Sequence, residues 1–132
     1  MATYPGSGHM TVLRYLHELS FIFFVGGQLL LSLAVTPAVR RHGTEAAMKE
    51  AARRFGIGSA VALLVLIATG IAMASHFDDW SRDVLHIKLG LVVIVFVLLG
   101  LHVVRPRTRG LSLLMIAVSL GIVWCGVRLA HP

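Results

Sequence analysis

Apolar residues run through the chain in four long stretches, and short polar segments separate them. The stretches cover about residues 11–39, 55–75, 84–104 and 111–130. Each reaches the length of about 20 apolar residues that an α-helix needs to cross a bilayer. The pattern therefore predicts an all-α protein with four transmembrane helices, spans 1 to 4, in a single membrane domain covering residues 1–132.

The composition agrees with this pattern and excludes two classes of protein. Of the 132 residues, 57% are hydrophobic and only 14% are charged, whereas about a quarter are charged in a typical soluble domain. A water-soluble globule is therefore excluded, and so is a disordered chain, because disorder goes with low hydrophobicity. The single cysteine, Cys125, excludes an internal disulfide framework and a cysteine-rich metal cluster.

The connections between spans are short, which predicts antiparallel neighbours in an up-down-up-down bundle. Basic residues concentrate between spans 1 and 2 and between spans 3 and 4: Arg40, Arg41, Lys49, Arg53, Arg54, Arg105, Arg107 and Arg109. The connection HFDDWSRD between spans 2 and 3 is acidic. The positive-inside rule places both basic segments in the cytoplasm and both termini on the outer, periplasmic side. We expect a bacterial inner-membrane protein whose surroundings are lipid, with no nucleic-acid partner.

Ionisable residues inside a span are costly, so each is a candidate functional residue. His17 and His86 both lie near the outer start of their spans, on different helices and at similar depth. Two imidazoles in that arrangement can hold one haem iron between helices. We therefore predict His17 and His86 as ligands of a haem b iron.

Other charged residues lie near the same face. Arg14, one helical turn before His17, and Arg128 on span 4 could bind haem propionates, or they could extend to lipid head groups. Glu18 and Lys88 lie at matching depths and could form a buried ion pair.

His102 is predicted to lie outside this site. It is 16 residues from His86, roughly 24 Å along a helix axis. We expect a histidine at the cytoplasmic boundary that bonds to a loop carbonyl.

Two further patterns leave alternatives open. Gly26 and Gly27 in span 1 fit close helix packing, or they make room for a flat cofactor. Copper is the other metal to consider, but the methionines are scattered, and Met73 with His76 comes closest to a copper-binding pair.

Three segments resemble known membrane families. Span 1, LHELSFIFFVGGQLLL, resembles the opening helix of CopD-type membrane domains, in which a histidine precedes an aromatic-x-Gly-Gly motif. The stretch RRFGIGSAVALLVLIATGIAMA resembles the second helix of that superfamily. Span 3, LHIKLGLVVIVFVLLGLH, is closest to the HemJ-type protoporphyrinogen oxidases, which share the His-x-Lys-Leu start and a later Gly-x-His.

The resemblance implies a helical membrane protein that binds haem b and oxidises protoporphyrinogen, passing the electrons to a quinone. Matched by motif, the implied site residues are His17, Arg54, His86 and Lys88. The HemJ-like segment before the last helix is absent from RPRTRGLSLL, so whether the chain is an enzyme stays open. A quinone-linked electron carrier, an accessory subunit of a larger respiratory or photosynthetic complex, and CopD-like copper transport remain alternatives.

Overall fold

The computed structural model describes residues 7–105 and 109–130, which form four long helices and short connections. The helices are α1 (Gly8–His42), α2 (Glu45–Phe77), α3 (Asp83–Val104) and α4 (Arg109–Ala130). All four are long and apolar enough to cross a membrane. The predicted all-α architecture with four spans is therefore confirmed. Residues 106–108, in the turn expected between spans 3 and 4, lie outside the described residues.

The helix α2 begins about ten residues before the apolar stretch that predicted it. Thr44 caps its first turn, because the Thr44 hydroxyl accepts a hydrogen bond of 3.2 Å from the backbone N–H of Ala47. Glu50 then pairs with Arg53 and Arg54, three and four residues further along the same helix. Such pairs support helix in a segment too charged to lie in lipid. The expected Arg-rich loop is thus mostly helix.

The four helices are antiparallel in chain order. The helix α1 packs along α2, and α3 packs along α4. Near the start of α3, the Arg82 guanidinium donates hydrogen bonds to the backbone carbonyls of Leu129 (3.0 Å) and Arg128 (3.3 Å) at the end of α4. We call this end of the bundle, with residues 8, 77–83 and 130, the terminal end. The opposite end, with residues 40–54, 104–105 and 109, is the basic end.

The helix α1 is continuous but contains two wider, π-helical stretches, Ile22–Gly26 and Leu31–Val35. The second stretch lies just before Pro37. Proline has no backbone N–H, and its ring crowds the carbonyl four residues earlier. Widening the preceding turn relieves that conflict without ending the helix.

Glycines allow α1 and α2 to approach closely. The Phe55 ring of α2 lies against Gly27, where an added Cβ would overlap it. The Phe23 ring of α1 lies against Gly58, where an added Cβ would be 2.8 Å from the ring. The two ring centroids are 5.9 Å apart. The space beside Gly27 is therefore filled by Phe55, as the packing explanation of this glycine requires.

The buried core lies in the middle of the bundle and draws on all four helices. Its members are all apolar: Phe24, Val25, Ala62, Leu63, Val95, Leu98, Leu99 and Met115. Val95 on α3 has no exposed surface. The outward faces carry large apolar residues such as Leu33 and Leu113, as a helix surface in lipid requires.

The neighbouring glycines of α1 give a matched test of this packing. Gly27→Val should lower the free energy of unfolding by about 1–3 kcal/mol, because the new side chain must displace the Phe55 ring. Gly26→Val carries the same β-branched side chain into open space and should cost less. Denaturant unfolding in mixed micelles measures both. Equal losses for the two variants would contradict the close contact with Phe55.

Candidate functional site

His17 is the central polar residue at the terminal end. Its ring is half-buried against α2, and its Nδ1 atom lies 2.8 Å from Oγ1 of Thr69. The Thr69 hydroxyl donates its own proton to the backbone carbonyl of Val65, at 2.6 Å. A hydroxyl has only one proton to donate. The His17 Nδ1–H must therefore be the donor to Thr69, and in the neutral ring Nε2 keeps an available lone pair.

The His17 ring also lies beside Gly70 of α2. A Cβ added at Gly70 would be 3.5 Å from the ring's Cε1 atom, and Thr69 itself is buried. The imidazole is therefore held on one side by a hydrogen bond and on another by van der Waals contact. This restricts the direction in which Nε2 can point.

Lys88 of α3 brings the other two helices into the site. Its Nζ atom lies at α4, 3.7 Å from the position of a Cβ added at Gly126. The Lys88 ammonium is also near enough to His17 of α1 for its charge to act on that imidazole. We call the set His17, Thr69, Lys88 and Gly126 the terminal-end site, because each helix contributes one member.

The ammonium of Lys88 has no carboxylate partner within the described residues. The expected pair with Glu18 does not form, because Glu18 follows His17 directly and therefore points about 100° away from it around α1, where it is exposed. Lys88 instead extends towards α4. A half-buried cation without a counter-charge is costly in a membrane, and such residues commonly mark binding sites.

The other predicted site residues lie outside the terminal-end site. His86 is exposed, and it lies about 200° around α3 from Lys88. The structure thus does not gather His86 and His17 into one site. Arg14 is exposed and stacks on the Phe77 ring, with its guanidinium carbon 5.3 Å from the ring centroid. Arg128 is also exposed.

Arg54 belongs to the basic end. It is paired there with Glu50. It is 15 residues from Thr69 on the same helix, which corresponds to roughly 22 Å. A ligand of ordinary size at His17 therefore does not reach Arg54.

His102 also lies towards the basic end, and it is half-buried. The expected bond to a loop carbonyl does not involve its Nδ1 atom, which is buried without a hydrogen-bond partner within the described residues. Met73 is half-buried and His76 is exposed, with the His76 ring packed edge-on against Phe77. Residues 7–105 and 109–130 contain no group of three or more His, Cys, Asp or Glu residues arranged to hold a metal ion.

Sequence reasoning did not identify Thr69 or Gly126 as members of the site. A threonine in an apolar helix usually bonds to its own helix, as Thr69 does with Val65. Its second role appears only when α1 is placed beside it. The neighbouring Gly70 gave no signal either, because a Cβ there would be 3.5 Å from the His17 ring, an ordinary contact.

Comparisons with known proteins extend over most of the chain but carry no assigned activity. The chain is similar to an uncharacterized protein of Aquifex aeolicus (strain VF5), with 29% identity over 130 residues, covering 87% of this chain and 91% of the relative. No family profile matches the chain. No solved structure matches it either.

The hydrogen bond between His17 and Thr69 can be tested by substitution. Thr69→Val keeps the shape of the side chain but removes the acceptor, so the free energy of unfolding should fall by about 1 kcal/mol. Thr69→Ser keeps the hydroxyl and should lose less. Denaturant unfolding of both variants in the same lipid mixture gives the comparison. A Thr69→Val protein as stable as the unmodified chain would show that the bond contributes nothing.

Proposed function

We propose that this chain is a haem b-binding redox protein of the bacterial inner membrane, in which His17 would bind the iron. One observation carries the proposal. The Thr69 hydroxyl donates its proton to Val65, so it accepts a hydrogen bond from the Nδ1–H of His17. The Nε2 atom of His17 then keeps a lone pair with which it can bind a metal. Metal-binding histidines are commonly held in this way, through a hydrogen bond from the second ring nitrogen. With the basic end in the cytoplasm, the iron would lie near the outer face.

The charges at the terminal end fit the carboxylates of haem b. Lys88 is half-buried, acts electrostatically on His17 and has no carboxylate partner within the described residues. A propionate would supply the missing negative charge, through a charge-assisted hydrogen bond. Arg14 and Arg128 are exposed at the same end, where they can bind a second propionate or lipid head groups.

Because His86 is exposed, His17 would be the one imidazole that holds the iron, and the iron could then take a further ligand. Globins and peroxidases also hold haem through one proximal histidine, and the sixth position then takes oxygen or another ligand. A single histidine ligand favours a HemJ-like oxidase over an electron carrier whose haem is held by two histidines. A quinone is the proposed electron acceptor.

The chain's own residues have simple roles in this proposal. Haem b, when bound, supplies one-electron exchange at its iron. His17 would bind the iron through Nε2, and Thr69 fixes the orientation of the ring. Lys88 would hold a carboxylate of the cofactor and so orient it, while the apolar helices would keep bulk water away. Arg54 has no role at this site.

Absorption spectra of the purified protein test the proposal. The unmodified chain, produced in haem-supplied cells or reconstituted with haem b, should show a Soret band and an α band that sharpen on reduction with dithionite. His17→Ala should abolish them, because it removes the proposed donor atom. His86→Ala is the matched control and should keep the spectrum, as should His102→Ala at the basic end.

Two results would overturn the proposal. One is a folded, unmodified chain that takes up no haem b, which would leave the accessory-subunit alternative in its place. The other is a haem spectrum that survives His17→Ala and is lost in His102→Ala, which would place the haem at the basic end. Loss in both His17→Ala and His86→Ala would instead restore the two-histidine arrangement expected from the sequence.

Substituting Lys88 gives a second test, in which the affinity for haem b should fall while the stability of the haem-free protein rises. Lys88→Met should weaken haem b binding about 10- to 100-fold, the effect of losing one charge-assisted hydrogen bond. The same change should stabilise the haem-free protein, because it removes a half-buried charge that has no partner.

Lys49→Met is the control for Lys88→Met. It removes the chain's other lysine, which is paired with Glu45 at the exposed basic end. Optical titration and unfolding curves measure the two effects. Unchanged haem affinity in Lys88→Met would exclude a contact between Lys88 and a propionate.

A further inference from the structure

A second polar cluster lies deep in the bundle, well away from the terminal-end site. Gln28 of α1, Ser59 of α2 and Ser119 of α4 are all buried, with 6%, 0% and 1% of their surfaces exposed. The Ser119 hydroxyl lies 3.3 Å from Oε1 of Gln28 and donates to it. We call these three residues the central cluster. Gln28 is 11 residues beyond His17, which places it roughly 16 Å deeper along α1.

Two atoms of the central cluster lack a partner. Nε2 of Gln28 and Oγ of Ser59 are buried and form no hydrogen bond within the described residues. An amide has two polar atoms, and Ser119 satisfies one of them, so the other is unpaired whichever way the amide is turned. Each unpaired buried group destabilises a protein, and lipid cannot supply the missing partner.

The register between α1 and α2 brings the two unpaired groups towards each other. The contacts of Gly27 with Phe55 and of Phe23 with Gly58 fix this register. In it, Gln28 and Ser59 begin about one and a half helical turns apart, roughly 8 Å along the bundle. Side chains in a helix tilt towards its N-terminus. Because α1 and α2 are antiparallel, the Gln28 and Ser59 side chains tilt towards one another.

We propose that Gln28 and Ser59 bind a buried water molecule in the middle of the bundle, between α1, α2 and α4. A water oxygen accepts a hydrogen bond from the Gln28 amide, and the water and the Ser59 hydroxyl can donate to each other. Buried waters typically make two to four such bonds to groups that are otherwise unpaired. Through Ser119, this site links the α1–α2 pair to α4. The proposal does not depend on haem binding.

The Gln28 side-chain amide can be observed selectively by NMR. Gln28 is the only glutamine, and the chain has no asparagine, so its side chain gives the single carboxamide NH₂ signal of the protein. In the full chain, labelled with ¹⁵N and held in lipid nanodiscs, this signal should show direct magnetisation transfer from water at short mixing times. The absence of this transfer would overturn the proposal, and the measurement needs no variant.

The free energy of unfolding of a Ser59 variant separates a water-bound Ser59 hydroxyl from an unpaired one. If Ser59 binds water, Ser59→Ala removes a hydrogen bond and should shift the unfolding equilibrium towards the unfolded state by roughly fivefold or more. If the Ser59 hydroxyl is simply unpaired, removing it should leave the protein equally stable or more stable. Ser112→Ala, on the half-buried surface of α4, is the control and should have little effect.

The water signal in Ser59→Ala completes the test. It should weaken relative to the unmodified chain, because the water has lost one of its two partners. An unchanged or increased stability of Ser59→Ala would overturn the role of Ser59, even where the water signal of Gln28 is present.

Discussion

The hydrocarbon interior of a membrane offers no hydrogen-bond partners, and this constraint governs every polar side chain within the four helices. His17 meets it through Thr69, and Gln28 meets it in part through Ser119. Each of these bonds joins two different helices. These polar contacts therefore add to the glycine and phenylalanine contacts that fix the register of α1 and α2.

The same constraint makes buried polar groups without a partner useful for locating binding sites. Lys88 has no carboxylate partner within the described residues, and Gln28 Nε2 and Ser59 Oγ have no hydrogen bond there. In a soluble domain, water at the surface would serve such groups. Between membrane helices such groups have no water to serve them, and both proposals start from them: a carboxylate of haem b at the terminal end and a water molecule at the centre.

The number and order of the helices followed from the hydrophobic pattern, because length and apolarity decide what crosses a bilayer, and their antiparallel arrangement followed from the short connections. The site was harder to predict. The depth of a residue along its helix can be counted from the sequence, but the sequence does not give which side of that helix faces the neighbouring helices. Counting residues puts His17 and His86 at similar depths, yet one packs against Thr69 and the other is exposed. Likewise, the charges of Glu45–Arg54 ruled out a membrane span but did not reveal that the helix continues through them.

The proposed haem site depends on Thr69 holding His17 with Nδ1 protonated and Nε2 available to bind a metal. Nitrogen NMR of the haem-free chain in lipid, with ¹⁵N-labelled histidine and the His17 signals assigned by their loss in His17→Gln, measures which nitrogen carries the proton. We expect a neutral ring whose Nδ1 carries the proton and correlates with Thr69, while Nε2 is unprotonated. A ring protonated at Nε2, with Nδ1 accepting from Thr69, would show that this arrangement is wrong.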